Sequence, residues 1–154
     1  SYIHGGGRIG VLLEVNSETD FVARNEDFKN FVNDIALHIA ASAPQYISKE
    51  DIPSEVREEE KRILVAKCRE EGKKEEMIDR IVEGQLKKWA SEICLLEQKF
   101  VKNPDKTVNE VLQDLIAKIG ENIVIRRFAR FELGEGVEKK KENFAEEVAA
   151  QLKE

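Results

Sequence analysis

The chain has 154 residues, of which 36% are charged and 41% are hydrophobic. This composition is typical of a soluble, helix-rich globular protein, and the length is enough for one domain with a substantial core. The net charge of -6 and the pI near 5.2 argue against a nucleic-acid-binding surface, which needs basic residues. The sequence has no long apolar run and no signal peptide, so we expect no membrane span and a cytoplasmic location.

The two cysteines and two histidines suggest neither metal binding nor catalysis. Cys68 and Cys94 are too few for a disulfide framework and indicate a reducing compartment. Because His4 and His38 lack the spacing of metal ligands, we predict no metal and no cofactor. The residues favour a binding module over an enzyme.

Since the chain begins at Ser1, apparently inside a hydrophobic segment, we expect a fragment of a longer protein.

The N-terminal segment is predicted to form a β-hairpin. A short strand covers residues 1–4, a glycine turn covers Gly5–Gly7, and a second strand covers residues 8–16, where apolar and polar side chains alternate. A phosphate-binding loop is a weaker interpretation of the glycines, because no Gly-Lys-Ser/Thr follows and the next segment is a strand.

A connection with an unusual composition follows this strand. The next helix is predicted over residues 26–42, with Asn25 as its N-cap and an end before Pro44. The connection contains a polar, an acidic, an aromatic and an aliphatic residue in succession: Thr19, Asp20, Phe21 and Val22. Two interpretations are open at this point. Either Asp20 caps a helix and Phe21 joins the core, or Phe21 is a wedge directed at another molecule.

The middle of the chain is predicted to form a projecting helical hairpin. One amphipathic helix runs from Ser54 to Gly72 and a second from Lys74 to Trp89, and so short a link favours antiparallel packing. Cys68 is interpreted as a packing residue. Residues 94–106 are expected to be irregular, with a turn at Asn-Pro-Asp.

The C-terminal third begins with a capping box, which starts a helix over residues 107–119 that Gly120 ends. A strand is predicted over 122–132, with Ile123 and Ile125 on one face and Val124 and Phe128 on the other. Both faces would then be partly covered, one by the core and the other by the helical hairpin, a partner or a second copy of the chain. The basic cluster of this strand is expected to pair with carboxylates: Arg126, Arg127 and Arg130.

Together these elements predict an α+β fold. A small three-stranded antiparallel sheet (1–4, 8–16 and 122–132) is packed by the helices 26–42 and 107–119. We expect a core and dimerisation domain over 1–137, with the helical hairpin 54–89 inserted. A C-terminal helical module is expected over 138–154, where a narrow apolar stripe suggests an arm that docks on a partner.

Several motifs carry a resemblance to one family. The segment EVNSETDFVAR (14–24) closely resembles the signature of bacterial elongation factor Ts. The preceding residues, SYIHGGGRIGVLL, are also similar to the family, and the similar segments EGQLKKW, KIGENIVIRR and FELGEGVEK follow in the expected order. The resemblance covers essentially the whole chain. It is to the short bacterial form of the family, without the N-terminal helical domain with which members usually begin.

The resemblance implies a function. The family promotes GDP release from the GTPase elongation factor Tu, as a guanine-nucleotide exchange factor that makes or breaks no covalent bond. It implies that Asp20 and Phe21, shaped by Thr19 and Val22, enter the nucleotide-binding domain of Tu beside its magnesium site. It also implies that His4 and Gly5 contact another domain of Tu and that the chain forms a homodimer. The alternative is a dimeric docking scaffold that binds a partner without nucleotide exchange.

Overall fold

The computed structural model describes residues 1–137, and its elements confirm the predicted α+β class. The predicted module over 138–154 lies outside the described residues. The strands and helices are, in chain order, β1 Tyr2–His4, β2 Ile9–Ser17, α1 Asp20–Arg24, α2 Glu26–Ser42, α3 Ser54–Glu70, α4 Glu75–Ile93, β3 Lys99–Phe100, β4 Asn103–Thr107, α5 Val108–Ile119 and β5 Ile123–Glu132.

The predicted three-stranded antiparallel sheet is present, with the strand order β1-β2-β5. Tyr2 of β1 lies opposite Val11 of β2, and β5 runs along the whole of β2, from the pair Ser17–Ile123 to the pair Ile9–Glu132. We call the face that carries buried Val11 the inner face and the opposite one the outer face.

A β-bulge in β5 corrects the predicted face of Phe128. Val15 pairs with Ile125, whereas Glu14 pairs with Arg127, so Arg126 is an extra residue without a partner in β2. A bulge of this kind resets the alternation of side chains along the strand. Phe128 therefore lies on the inner face with Ile125, and it packs against the core instead of facing a partner.

The core lies between the inner face of the sheet and helices α2 and α5. Ile35 and Ile39 of α2 are completely buried, and Val108 of α5 joins them in one cluster. Each such side chain contributes roughly 1.5–3 kcal/mol relative to its exposure to water. The predicted caps are also confirmed: the Asn25 side chain accepts hydrogen bonds from the N–H groups of the first turn of α2, and Gly120 ends α5 in a left-handed conformation.

The predicted capping box of α5 is confirmed at the level of single hydrogen bonds. The N–H of Thr107 donates to Glu110 Oε2 at 2.6 Å, and the N–H of Glu110 donates to Thr107 Oγ1 at 3.2 Å. The first of these bonds holds the pKa of Glu110 below its usual value.

Helices α3 and α4 form the predicted antiparallel hairpin, with a small cluster of their own around Cys68, Ile78 and Val82. Cys68 is buried there, as expected of a packing residue. Helix α4 continues to Ile93, four residues beyond the predicted end at Trp89. We call α3 and α4 the hairpin, and the sheet with α1, α2, α5, β3 and β4 the body.

The prediction of an irregular segment over 94–106 is wrong. Strands β3 and β4 pair as a two-stranded ribbon, and the turn lies at Val101–Lys102, two residues before the predicted Asn103. The strands have two and five residues, too few for side-chain alternation to mark them, and Pro104 argues against a strand. Burial of Phe100 in the core holds the ribbon in place.

A buried polar cluster, which we call the joint, connects the body to the end of α4. His38 Nδ1 accepts the N–H of Val101 at 3.1 Å, and its Nε2 lies 2.9 Å from Gln98 Oε1. The ring is therefore the neutral tautomer with its hydrogen on Nε2, and Gln98 Nε2 donates to the carbonyl of Glu92 at 2.7 Å. Burial lowers the pKa of His38.

Candidate functional site

The tip, Thr19–Val22, lies where β2 runs into the five-residue helix α1. The next residue after α1, Asn25, serves two helices. Its N–H donates to the carbonyl of Val22 at 2.9 Å, and its side chain caps α2. Because one residue ends α1 and begins α2, the chain turns sharply at Asn25, and α1 has a fixed position between the sheet and α2.

The structure separates the two interpretations of the tip. Phe21 is 86% exposed, whereas its neighbour Val22 is 7% exposed and belongs to the core. Because successive helical residues are about 100° apart, anchoring Val22 directs Phe21 away from the body. The alternative that placed Phe21 in the core is therefore wrong. Asp20 is not the cap either, because it is the first residue of α1 and Thr19 occupies the N-cap position.

Thr19 is bonded to a residue that the sequence did not single out. Its hydroxyl donates to Glu121 Oε1 at 2.9 Å, and its N–H donates to Glu121 Oε2 at 3.2 Å. A second bond runs in the other direction, from the N–H of Asn122 to Glu18 Oε2 at 3.4 Å. The tip is thus tied to the turn between α5 and β5.

A shallow groove of about 280 Å³ lies beside Phe21. Its walls include Val22, Lys118 and Ile119 at the end of α5, and Lys118 is paired with Asp27 at 2.7 Å. The aromatic ring therefore stands next to the junction of α5 with α2.

His4 and Gly5 lie at the other end of the sheet. His4 pairs with Ile9 at the start of β2, and Gly5 begins the predicted glycine turn with a φ of 60°. The His4 ring stacks on Tyr2, whose hydroxyl lies 3.0 Å from its Nδ1. Since the nine residues of β2 separate them, His4 and the tip are roughly 30 Å apart along the strand. The structure does not bring the predicted site residues into one place.

The outer face of the sheet carries large apolar side chains that the body does not cover. Ile3, Gly10 and Phe131 lie opposite one another across the three strands, and Leu12 follows in the next row. Ile3, Leu12 and Phe131 are 66%, 65% and 72% exposed. Monomeric proteins rarely leave clustered apolar side chains in water unless the surface is used.

Two arginines of the β5 cluster, Arg127 and Arg130, pair with carboxylates as predicted. Arg127 lies 2.5 Å from Glu14 on the outer face, and this hydrogen bond lowers the pKa of Glu14. Arg130 reaches Glu132 at 2.8 Å and also the carbonyl of Ala40 in α2.

The remaining candidates for side-chain chemistry are metal-ligating groups and the cysteine thiols. Within 1–137, no three His, Cys, Asp or Glu side chains are grouped so as to hold a metal ion. Burial raises the pKa of Cys94 to about 11, which keeps its thiol protonated. Among the helices of this part of the chain, none combines the length and the apolar character needed to cross a membrane.

The sequence did not indicate the contact of Glu121 with the tip, nor which side chains are exposed on the outer sheet face. Glu121 lies 102 positions from Thr19, and no local pattern marks so distant a contact. The exposure of Phe131 depends on the bulge at Arg126, because regular alternation from Ile125 would place Phe131 on the inner face. The only earlier signal for Glu121 was its position inside KIGENIVIRR.

Comparison with known proteins agrees with these motifs. The family model described as Elongation factor TS matches residues 1–115. The chain is 62% identical over 152 residues to Elongation factor Ts of Acetivibrio thermocellus, an alignment that covers 99% of the chain and 71% of that protein. For the protein of the same name from Geobacter sulfurreducens, the identity is 62% over 150 residues, with 97% of the chain and 69% of the relative covered.

A third relative, Elongation factor Ts of Caldanaerobacter subterraneus subsp. tengcongensis, is 64% identical over 139 residues, which are 90% of the chain and 70% of that protein. Identity at this level, over most of both sequences, goes far beyond the motif around the tip. The chain belongs to the elongation factor Ts family.

Proposed function

We propose that the protein binds elongation factor Tu and promotes the release of GDP from it, acting in the cytoplasm during translation elongation. Family membership supports the role in elongation. The exchange activity is supported above all by one observation: Phe21 is 86% exposed on a tip that Val22 anchors in the core. A large aromatic side chain held in water in this way is suited to insertion into another protein.

The tip has the chemistry of a wedge against a nucleotide site. Phe21 would enter between helices of the GTPase and hold apart the elements that order Mg²⁺ and the phosphates. Asp20, beside it, would bring a carboxylate towards an anionic ligand, where like charges repel each other. Neither role requires a covalent bond to be formed or broken, so the proposed factor is not an enzyme.

The magnitude of the effect limits what Phe21 can do alone. Burying one Phe side chain yields roughly 1.5–3 kcal/mol. If all of this free energy opposed GDP binding, the affinity for GDP would fall by about one to two decades. Coupling is reciprocal, so GDP would weaken binding of this protein to Tu by the same factor. Further contacts are therefore part of the proposal.

His4 and Gly5 are proposed as a second contact with Tu. They are exposed at the glycine turn, roughly 30 Å from the tip. A partner that touches both ends of β2 must be at least this long. Contact with two domains of one large GTPase satisfies that requirement, whereas a small ligand does not.

The outer sheet face is proposed as a homodimer interface. The exposed side chains of Ile3, Leu12 and Phe131 form one patch, and a two-fold axis through such a patch would bury it against its own copy. The paired Glu14 and Arg127 border the patch, so no unpaired charge from this pair would be buried. The alternative function is a dimeric docking scaffold that binds a partner through the hairpin without nucleotide exchange. It needs the dimer interface but not Phe21.

The function is tested by following the release of a fluorescent GDP analogue from elongation factor Tu. We expect the chain to accelerate release, and we expect Phe21→Ala to lower the maximum rate about 10- to 100-fold, because the wedge is lost. Phe21→Leu should retain part of the effect. Met77→Ala is the matched control, since Met77 is also exposed but lies on the hairpin.

Two results would contradict the exchange proposal. If Tu binds the chain but releases GDP at the rate of buffer alone, the scaffold is the better account. If Phe21→Ala releases GDP as fast as the unmodified chain, the tip is not the wedge.

The dimer is tested by sedimentation equilibrium of the chain and of Phe131→Arg. A charge placed on the apolar patch should convert the dimer to a monomer, because it would be buried without a partner. Ile63→Arg on the exposed side of α3 is the control and should leave the mass unchanged. A monomeric unmodified chain at tens of micromolar would refute the homodimer.

A further inference from the structure

We propose that Glu121 is a positioning residue for the tip: its carboxylate fixes the backbone of Thr19 and thereby the direction in which Phe21 points. The functional consequence rests on the proposed exchange activity. The structural part concerns this chain alone and can be measured without Tu.

We call the hydrogen bonds that join Glu121 to Thr19, together with the bond from Asn122 to Glu18, the clamp. Both oxygens of the Glu121 carboxylate are used, because the hydroxyl of Thr19 lies 2.9 Å from Oε1 and 3.1 Å from Oε2, and the Thr19 N–H donates to Oε2. Hydrogen bonds to an ionised acceptor are stronger than neutral ones. The neighbouring bond from Asn122 to Glu18 joins the same two segments, so the clamp has two points of attachment.

Helix α1 needs such a support. It has five residues, and isolated helices much shorter than 12 residues are unstable in water. Thr19 occupies its N-cap position, where a threonine hydroxyl usually accepts an N–H of its own helix, yet no side-chain cap bond is formed. The side-chain bond that this threonine forms is the one in which its hydroxyl donates to Glu121. The N-terminus of α1 is thus held by a distant residue and not by its own cap.

Glu121 is itself well placed to hold the tip. It follows Gly120, whose left-handed conformation ends α5, and it precedes the buried first residue of β5, Ile123. Its backbone therefore lies between two elements of the main core. A hydrogen bond from this turn therefore holds Thr19 in a fixed position relative to the core. Thr19 lies two residues before Phe21.

Preorganisation is the expected effect of this clamp. An exposed aromatic ring on a loosely held helix samples many directions, and only a fraction of them fits a given site. The apparent affinity falls in proportion to that fraction. Loss of Glu121 should therefore raise the concentration of factor needed for half-maximal GDP release, whereas loss of Phe21 should lower the maximum rate.

The first experiment compares amide hydrogen exchange, followed by NMR, in the unmodified chain, Glu121→Ala and Glu121→Gln. In Glu121→Ala, exchange should accelerate several-fold at Thr19, whose N–H donates to Glu121, and at Ala23, whose N–H donates to the carbonyl of Thr19, while the core amides of α2 remain protected. Glu121→Gln keeps one acceptor oxygen and should restore part of the protection. Glu70→Ala, at the exposed end of α3, removes the same charge far from the tip and should change neither region.

Two results of this experiment would overturn the proposal. Unchanged exchange at Thr19 in Glu121→Ala would mean that the clamp does not hold the tip. Faster exchange throughout α2 would mean that Glu121 supports the fold in general and not the tip in particular.

The second experiment titrates the same variants in the GDP-release assay. For Glu121→Ala we expect a half-saturation concentration about three- to tenfold higher, with a maximum rate within about twofold of the unmodified chain. Combining it with Thr19→Val should give less than the product of the two single effects, because both variants break the same contact. Fully multiplicative effects, or an unchanged half-saturation concentration, would contradict positioning through Thr19.

The two proposals fail in different ways. If the unmodified chain does not accelerate GDP release but Glu121→Ala loosens the tip, the exchange function is refuted and the positioning role stands. If the unmodified chain is active and Phe21→Ala is not, but Glu121→Ala behaves as the unmodified chain in both experiments, the positioning role is refuted and the exchange function stands.

Discussion

The body and the hairpin are both built on amphipathic helices, but they bury very different amounts of apolar surface. The body has one continuous cluster that joins the sheet, α2 and α5, and it includes the completely buried Ile35, Ile39 and Val108. The fully buried members of the hairpin cluster are Cys68, Ile78 and Val82. Two helices of 17 and 19 residues thus share a core of a few side chains.

This difference indicates that the body is the more rigid unit and the hairpin the less stable one. The body can hold the tip and the sheet rigidly, because its stability comes from a large core. The hairpin should open locally at a lower free energy, since regions with few buried apolar contacts form separate units of low stability. The joint at His38 and Gln98 is one of the contacts between the two units, through the bond to the carbonyl of Glu92.

The largest predicted effect is the loss of stability when a side chain in the core of the body is shortened. Ile35→Ala removes a completely buried side chain beneath the sheet and should lower the free energy of unfolding by about 2–5 kcal/mol. Denaturant unfolding measures this loss, and amide exchange should accelerate throughout the body, the tip included. Ile35→Val is the control and should cost about 0.5–1.5 kcal/mol. A loss confined to α2 would contradict a single cooperative body.

A smaller and more local effect is expected in the hairpin. Val82→Ala deletes two methyl groups from a buried position, which costs about 1.5 kcal/mol at ~0.8 kcal/mol for each group. Amide exchange should accelerate in α3 and α4 but remain slow in α2 and β2. Met77→Ala, at a 52% exposed position of α4, should have little effect. Equal acceleration in α2 would show that body and hairpin unfold together.

The smallest effect concerns the joint and depends on pH. Burial lowers the pKa of His38, so below about pH 6.5 the unfolded chain binds a proton that the folded chain resists. The contribution of His38 to stability is therefore fully present above that pH and decreases as the pH falls, by at most about 1.4 kcal/mol per pH unit. Protonation would also remove the Nδ1 acceptor that Val101 uses.

Denaturant unfolding between pH 5 and 8 measures this dependence. His38→Gln should be less stable at neutral pH but should lose the decrease in stability between pH 6.5 and 5 that His38 causes. His4→Gln, which changes an exposed histidine, is the control and should keep that decrease. A decrease of the same size in His38→Gln would assign it to other groups.

The sequence predicted those parts of the fold that depend on neighbouring residues. Asn25, Gly120 and the Thr107 capping box each act within one turn of the helix that they begin or end, and the structure confirms all three. Helical spacing also identified the hairpin and its packing cysteine, Cys68. These patterns are local, so a single sequence is enough to reveal them.

The missed features depend on contacts between distant segments. No pattern in the sequence indicates the ribbon, because its strands are short and one contains Pro104. The bulge at Arg126 has no marker in the sequence, and without it Phe128 was assigned to the wrong face. For the candidate site, the sequence selected the tip but could not decide whether Phe21 is buried, since that depends on where Val22 is anchored and on what holds Thr19.

The bulge also has a consequence for how β5 can tolerate insertions and deletions. Arg126 faces no residue of β2, so its deletion would leave the other nine residues of the strand opposite their present partners. A deletion at Ala129 would instead shift part of the strand by one position and exchange the inner and outer faces there. Arg130 would then move to the outer face and Phe131 to the inner face. A chain that lacks residue 126 can therefore present the same side chains on both faces of the sheet.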